Sequence, residues 1–375
     1  MPELRETHLP AIEEAASHVD DLPEPDAEDF DDRPPPAERP SPERSLGRDR
    51  PPRTRPGTFI PGRGRHPTAM AEPILKWAGG KRQLLDELYA RFPAEFGRYH
   101  EPFVGGGALF FDLEPAGATI NDANPRLVNF YEQVRDRPDE LISLLASFDD
   151  PESDPDPDLP YAEETARGRD VDAYYYQQRA RFNRRPYEGA FDPLEEAALL
   201  LYLNRTCYNG LYRENADGGF NVPIGRYADP DWVQRDRVRR ASDLLADAEI
   251  RNGDFAYVLD AADPGDLVYF DPPYEPMSAT ASFNEYSAAG FDREDQRRLL
   301  DVAGELDDAG VWVVLSNSGV MYDAYAEAGF RVDREDATRA INSDADGREA
   351  VDEIVATNVP PAERGAAGQR ELSGF

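Results

Sequence analysis

The sequence predicts an α/β protein built on a parallel or mostly parallel sheet with a helical block inserted into it. Strand-like runs alternate with helical stretches toward both ends of the patterned region, as parallel sheets require. Between about residues 124 and 249 that alternation is interrupted and helical patterns follow one another. Several strand-like runs end in an acid, at the edge where open α/β sheets bind ligands.

Residues 1–69 precede this pattern and are a different material. Segments such as "DDRPPPAERPSPERSLGRDRPPRTRPG" are dense in Pro, acid and Arg. They bury too little apolar surface to offset their conformational entropy, so disorder is expected. Met70 opens "MAEPILKWAGG" and is expected to be the true initiator, with a genuine flexible tail as the alternative. "GKRQLLDELYARF" spaces its apolar residues as a helix does. "RYHEPFVGGGALFFDL" reads as a short strand, a glycine loop and a helix, and "ATIND" as a strand ending in an acid. "PRLVNFYEQVRDRPDELISLLASF" holds two helical stretches. After the polar loop at 149–160 come helical patterns in "VDAYYYQQRARFNRR", "DPLEEAALLLYLNRTCY" and "DWVQRDRVRRASDLLADA". "AEIRNGDF", "GDLVYFDPPY", "VWVVLSNSG" and "VDEIVATN" are strand-like, with helical material between them. The expected organisation is a catalytic unit of 70–123 and 250–360, an insertion at 124–249, and a flexible tail at 361–375. No internal repeat is found.

The formal charge of −34 is extreme, yet 40% hydrophobic and 10% aromatic residues suffice for a core. A carboxylate-rich surface of this kind suits concentrated salt, where self-repulsion is screened. An acidic-partner-binding protein in ordinary salt is the lesser reading. Of 41 Lys+Arg, only Lys76 and Lys81 are lysine, five positions apart in "ILKWAGGKRQLL". A compact, flexible ammonium at a defined site is not replaceable by arginine, so two retained lysines point to positional tasks. The single cysteine, Cys207, excludes an internal disulfide. No apolar run reaches the length of a membrane span, and the N-terminus lacks a secretory pattern. A cytoplasmic protein is expected.

The most informative stretch is "DLVYFDPPYEP". An apolar strand runs into Asp271-Pro272-Pro273-Tyr274. Two prolines stiffen the turn and remove two N–H donors. The Asp271 carboxylate and the Pro272 carbonyl remain as acceptors for the two hydrogens of an exocyclic amino group, and Tyr274 offers a stacking face. The competing reading is a proline-rich turn after an edge strand. Gly105, Gly106 and Gly107 follow a short strand and precede a helix, where glycine lets backbone approach a ligand. The spacing matches neither the dinucleotide fingerprint nor a phosphate loop. Asp122 ends the next strand, where an acid accepts from ribose hydroxyls; a turn or cap aspartate is the alternative. Asp254 and Phe255 in "RNGDF" are suited to an adenine ring and its amino group.

Taken together these segments resemble the DNA adenine-N6 methyltransferases of the Dam type. The likeness covers most of 74–358. It rests on "LKWAGGK", "EPFVGGGALFF", "NDANPRLVNFY", "LNRTCYNGLYRENADGGFNVPIGRY", "DPPY" and "INSDADGREAVDEIVATN", in the family's order. The resemblance implies a Rossmann-like S-adenosylmethionine-dependent sheet with an inserted, mainly helical target-recognition domain. It implies that Trp77, Lys81, Phe103, Gly105, Gly107, Asp122, Asp254, Phe255 and Asp271 hold S-adenosylmethionine. Asp271, Pro272 and Tyr274 would be catalytic. Lys76 would reach the DNA near the first base pair of the site, which gives the two lysines separate tasks. Tyr208 and Asn209 would enter the duplex beside the displaced base. Leu211, Arg213 and Pro223 would read base edges, and Asn215 and Arg226 would grip phosphates. The implied partner is double-stranded DNA, with target GATC or a close relative. No metal or membrane is implied, and a cognate restriction endonuclease is left open.

Arg179, Arg181, Arg184 and Arg185 form a further basic cluster, readable as a DNA contact or as ion pairing to carboxylates. Cys207 is expected to be a packing residue. The rival functions are amino-methylation of cytosine N4 or of RNA, and a catalytically silent DNA-binding protein.

Overall fold

The structure, a computed structural model, describes residues 72–77, 81, 84–159, 173–184, 192–215, 218–274, 291–337 and 351–365. The 1–69 extension, Met70 and Arg185 lie outside them. In chain order the elements are α1 (Leu85–Tyr89), β1 (Tyr99–Glu101), α2 (Ala108–Leu113), β2 (Ala118–Asp122), α3 (Pro125–Asp136), α4 (Pro138–Leu145), α5 (Tyr174–Arg184) and α6 (Pro193–Thr206). There follow α7 (Arg235–Leu245), β3 (Glu249–Asn252), α8 (Val258–Ala261), β4 (Leu267–Phe270), α9 (Arg293–Asp308), β5 (Trp312–Ser318), α10 (Tyr322–Glu327), β6 (Arg331–Ala337) and β7 (Val351–Thr357).

Among the described residues seven strands form one sheet in the order β3-β2-β1-β4-β5-β7-β6. Neighbours from β3 to β5 run parallel; β7 is antiparallel to β5, and β6 antiparallel to β7. This is a Rossmann-like α/β sheet with helices on its faces. Side chains of β4 alternate between two cores. Leu267 and Tyr269 join the one containing α3 and α6, and Val268 and Phe270 the one containing α9 and α10. That period of two across a wholly buried strand is what a sheet covered on both faces demands.

Two expectations are corrected. The sequence suggests no strand at 331–337, yet β6 forms there. "RVDREDA" has little apolar content because it is the sheet edge, where charge discourages further pairing. The first helix is shorter than its periodicity suggests, five residues at 85–89. Of the chain end expected to be flexible, 361–375, the described part reaches Gly365, where Glu363 and Phe92 carbonyls accept from Ala94 and Gly365 N–H at 2.8 and 3.1 Å.

The helices start where local chemistry dictates. Asn124 caps α3, accepting from Arg126 and Leu127 N–H, with Pro125 at the first position. Asp192 caps α6 in the same way, and Asp292 with Asp295 forms a capping box on α9. α6 is buried nearly all round and is the hub of the helical layer, packing on α3, α4 and α5. Its buried Glu196 pairs with Arg126 of α3 at 3.5 Å and accepts from Asn129 at 3.1 Å.

Candidate active site

The parallel strands end along one edge, and their order fixes the order of the expected residues. Asp254 follows β3, Asp122 ends β2, the glycine loop follows β1, Asp271 follows β4, and Ser316 lies near the end of β5. Connections from β1 proceed one way along the sheet, and those from β4 the other. The switch point therefore lies between the glycine loop and Asp271, where crevices of open α/β sheets form.

At that point Lys81 is buried at 5% exposure, and its ammonium lies 3.0 Å from Asp271 Oδ1. It also donates to the Tyr274 hydroxyl and sits 4.3 Å from that ring's centroid. Ser316 Oγ donates to the same Asp271 oxygen at 2.9 Å and meets the buried Tyr269 hydroxyl at 3.0 Å. Tyr274 in turn reaches Glu353 Oε2 at 3.4 Å. Burial pushes the Asp271 carboxyl up, while Lys81 and Ser316 pull it back. Burial alone would lower the Lys81 ammonium; Asp271, Tyr274 and Glu353 outweigh it and hold the ammonium above its ordinary value. Lys81 is therefore the main group that favours the ionised form of Asp271. Pro272 is buried, and no donor among the described residues takes its carbonyl. The neighbouring Pro273 carbonyl accepts from Gln296 at 3.0 Å, which fixes the turn.

Asp122 is half-buried, and each of its oxygens accepts one backbone N–H, from Gly105 at 3.1 Å and Asn124 at 2.9 Å. Burial raises this carboxyl, and those N–H groups oppose the rise. The glycine loop is closely approached by the chain itself. A Cβ on Gly105, whose φ is +48°, would lie 3.0 Å from the Trp77 ring, and one on Gly106 2.7 Å from Trp77 Cβ. Gly107 has φ +69° and its N–H donates to Val104. Phe103 stacks on Phe255 at 5.4 Å, with Phe291 edge-on at 5.6 Å. Asp254 is exposed, caps the following turn through Ala256 N–H, and pairs with Arg298. Arg298 also lies 4.3 Å from the Phe255 ring centroid.

The remaining expected residues gather on the segment after α6. Tyr208 is 42% exposed, unusual for so large a side chain. Asn209, Arg213, Asn215, Pro223 and Arg226 are exposed, and Leu211 is half-buried. Arg213 is oriented through its Nε, which donates to Asn221 at 2.6 Å. Asn215 accepts from Gly219 N–H at 2.8 Å. Lys76 lies against this segment with its Nζ 4.1 Å from the Tyr227 ring centroid, and Trp77 stacks on Tyr212 at 5.3 Å. The model of the D12 class N6 adenine-specific DNA methyltransferases matches residues 77–341. The chain belongs to this family.

It is an adenine-specific DNA methyltransferase. A type II methyltransferase of Lactococcus lactis is 38% identical over 76% of the chain and 95% of its own length. One of Methanocaldococcus jannaschii is 37% identical over 74% and 95%. The DNA adenine methylase of Escherichia coli K12 is 35% identical over 76% and 95%.

The methyltransferase's site also contains residues that sequence reasoning missed. Asn121, buried at the end of β2, donates to the Pro102 and Gly253 carbonyls at 2.9 and 3.0 Å, tying two ligand-edge loops together. Ser316 and Arg298 position Asp271 and Asp254, Gln296 holds the Pro273 carbonyl, and Glu353 accepts from the Tyr274 hydroxyl. One signal was available: "SNS" places three polar residues at the end of an otherwise apolar strand, all buried. The arginine cluster on α5 is in part structural. Arg181 pairs with Glu195, and Arg179 donates to the Val222 carbonyl at 3.2 Å. Cys207 is buried, and burial pushes its thiol up to about 12, an inert packing residue.

Proposed function

We propose that this enzyme transfers a methyl group from S-adenosylmethionine to adenine N6 in double-stranded DNA, at GATC or a close relative. The target base is turned out of the helix, because N6 is out of reach inside a stacked pair. The observation that carries the reading is the Asp271 carboxylate held by Lys81 and Ser316 beside a Pro272 carbonyl that no described donor takes. Together they are two acceptors for the two hydrogens of one amino group.

The residues along the strand edge suit the methyl donor. Asp122 keeps acceptor capacity beyond its two backbone partners, which fits ribose hydroxyls. Phe103 and Phe255 offer an aromatic wall, and Asp254 an acceptor, for an adenine. Gly105 and Gly107 bring backbone to the same edge, and Trp77 and Lys81 flank it. S-adenosylmethionine, when bound, supplies a methyl group already activated on a sulfonium.

The chain's own contribution is then placement and polarity. Asp271 and the Pro272 carbonyl take the amino hydrogens and leave the nitrogen lone pair without a partner. Lys81 and Ser316 keep Asp271 ionised and oriented, and the Tyr274 ring stacks on the base. Tyr208 and Asn209 enter the duplex beside it. Lys76, Leu211, Arg213 and Pro223 read base edges, while Asn215 and Arg226 hold phosphates; the exposure of most of this set supports these roles. No described helix is long and apolar enough to cross a membrane, in keeping with work in the cytoplasm. Relatives named both as type II methyltransferases and as DNA adenine methylases leave a paired endonuclease and a solitary role equally open.

Tritiated-methyl transfer to defined duplexes, followed by nucleoside analysis, tests the reading. Label should appear in N6-methyladenine, and Asp271→Ala should lose at least about 100-fold in turnover, the scale of one preorganised polar contact. Label in cytosine, or near-normal turnover in the variant, would overturn it.

A further inference from the structure

α6 carries an asparagine near its end, Asn204, that is 1% exposed. Its carboxamide is fully engaged, but not with its own helix. Oδ1 accepts from the Lys76 N–H at 2.8 Å, and Nδ2 donates to the Lys76 carbonyl at 2.7 Å. The same Nδ2 donates to the Gly210 carbonyl at 3.1 Å. One side chain thus grips both backbone groups of residue 76, as an adjacent strand would, and also holds the Tyr208–Gly210 turn.

The two gripped segments also meet directly. Gly210 has φ +66°, and a Cβ there would lie 2.5 Å and 2.9 Å from Cβ and Cγ of Lys76. The preceding Asn209 is also left-handed, with φ +55°. Lys76 leaves this contact with its Nζ against the Tyr227 ring. A lysine side chain has four rotatable bonds and directs its ammonium only if its backbone and first carbons are held. Asn204 holds the backbone, and Gly210 and Tyr227 confine the stem and head.

We propose that Asn204 is a positioning residue for target discrimination, registering Lys76 against the Tyr208–Gly210 turn so that both meet the DNA as one unit. This rests on the reading above, in which Lys76 and that turn face the target. An apolar residue of similar size would pack as well but would leave three backbone groups without partners. Packing alone therefore does not account for an amide here.

The test uses the full-length enzyme and two variants. Asn204→Asp keeps the acceptor for Lys76 N–H and loses both donations. Gly210→Ala leaves the amide intact and displaces the Lys76 stem. For each, kcat/KM is measured on a cognate duplex and on duplexes altered at the first base pair, and cofactor affinity by calorimetry. Selectivity should fall about 10-fold, the scale of one base-reading contact, with cofactor affinity changed less than about twofold. In a Lys76→Ala background, Asn204→Asp should cause no further loss of selectivity, because the two act through one contact. Should Asn204→Asp fail to fold, Gly210→Ala decides by the same readouts. Wild-type selectivity in the folded variants, or additive losses in the Lys76→Ala background, would overturn this inference alone. Absence of DNA methylation by the wild-type enzyme would overturn it together with the reading on which it rests.

Discussion

Replacing Lys81 by methionine keeps most of the side-chain volume and removes the cation beside Asp271. Two unit charges 3.0 Å apart at an effective dielectric of about 20 attract by roughly 5.5 kcal/mol. The Asp271 side chain is 21% exposed, so solvent screening reduces that figure. Burial already holds this carboxyl above its ordinary value, with Lys81 as the main opposing group. Without Lys81 it should rise further, a raised carboxyl that is protonated below its titration and ionised above it. Less of it is then in the accepting form at neutral pH, and turnover there should fall by about 100-fold, the scale of one preorganised polar contact. Single-turnover methylation at saturating cofactor and DNA, followed from pH 6.5 to 10, reads this directly. Lys81→Met should be slow at neutral pH and recover as pH rises, while the wild type is flat from neutral to mildly alkaline pH. A variant whose rate does not rise with pH would refute the claim that Lys81 acts by keeping Asp271 ionised.

Three other outcomes are expected. Arg213→Ala should reduce discrimination between cognate and near-cognate duplexes by about 5- to 150-fold, the worth of a bidentate arginine on guanine; equal loss on all sequences would make Arg213 a phosphate contact. Glu196→Ala strands the half-buried Arg126 guanidinium between α3 and α6 and should cost up to about 3 kcal/mol in chemical denaturation; a change below about 1 kcal/mol would show that the pair contributes little. Burial pushes Glu101 up to about 8 from 4.5, against the hydrogen bond from Tyr99. The stability contributed by a raised carboxyl is complete below its unfolded pKa and is lost as pH rises through the folded one. Glu101→Gln should accordingly gain stability relative to wild type across that window in thermal melts, and parallel curves would refute the assignment.

Some of this architecture is legible in the chain and some is not, for physical reasons. β4 and β5 announce themselves because strands covered on both faces must be almost wholly apolar. Asp122, Asp254 and Asp271 are legible because each is an acid at the carboxyl end of a strand-like run, although only the run before Asp271 is wholly apolar. β6 is hidden because an edge strand needs little apolar surface, and "RVDREDA" looks like any charged surface stretch. Arg298 and Glu353 could not be found, since what they pair with is set by packing of distant segments. Asn204 sits in the run "LLLYLNRT", where nothing local distinguishes a backbone clamp from a solvated polar residue. The glycine loop was read as making room for a ligand. Part of that room is taken by Trp77, a contact between residues about thirty positions apart that spacing cannot reveal. The residues proposed for target recognition are legible only through resemblance, because exposed side chains carry no periodic signal.

The central claim is that the acceptors at Asp271 and Pro272 serve the amino group of adenine within a defined DNA sequence. Modification mapping of DNA methylated by the purified enzyme in concentrated salt tests it most directly. The expected result is N6-methyladenine concentrated in GATC or sites differing from it by one base, and abolished by Asp271→Ala. Methylated adenines lying wholly outside such sites would contradict the target assignment, and N4-methylcytosine as the product would contradict the account of the site itself.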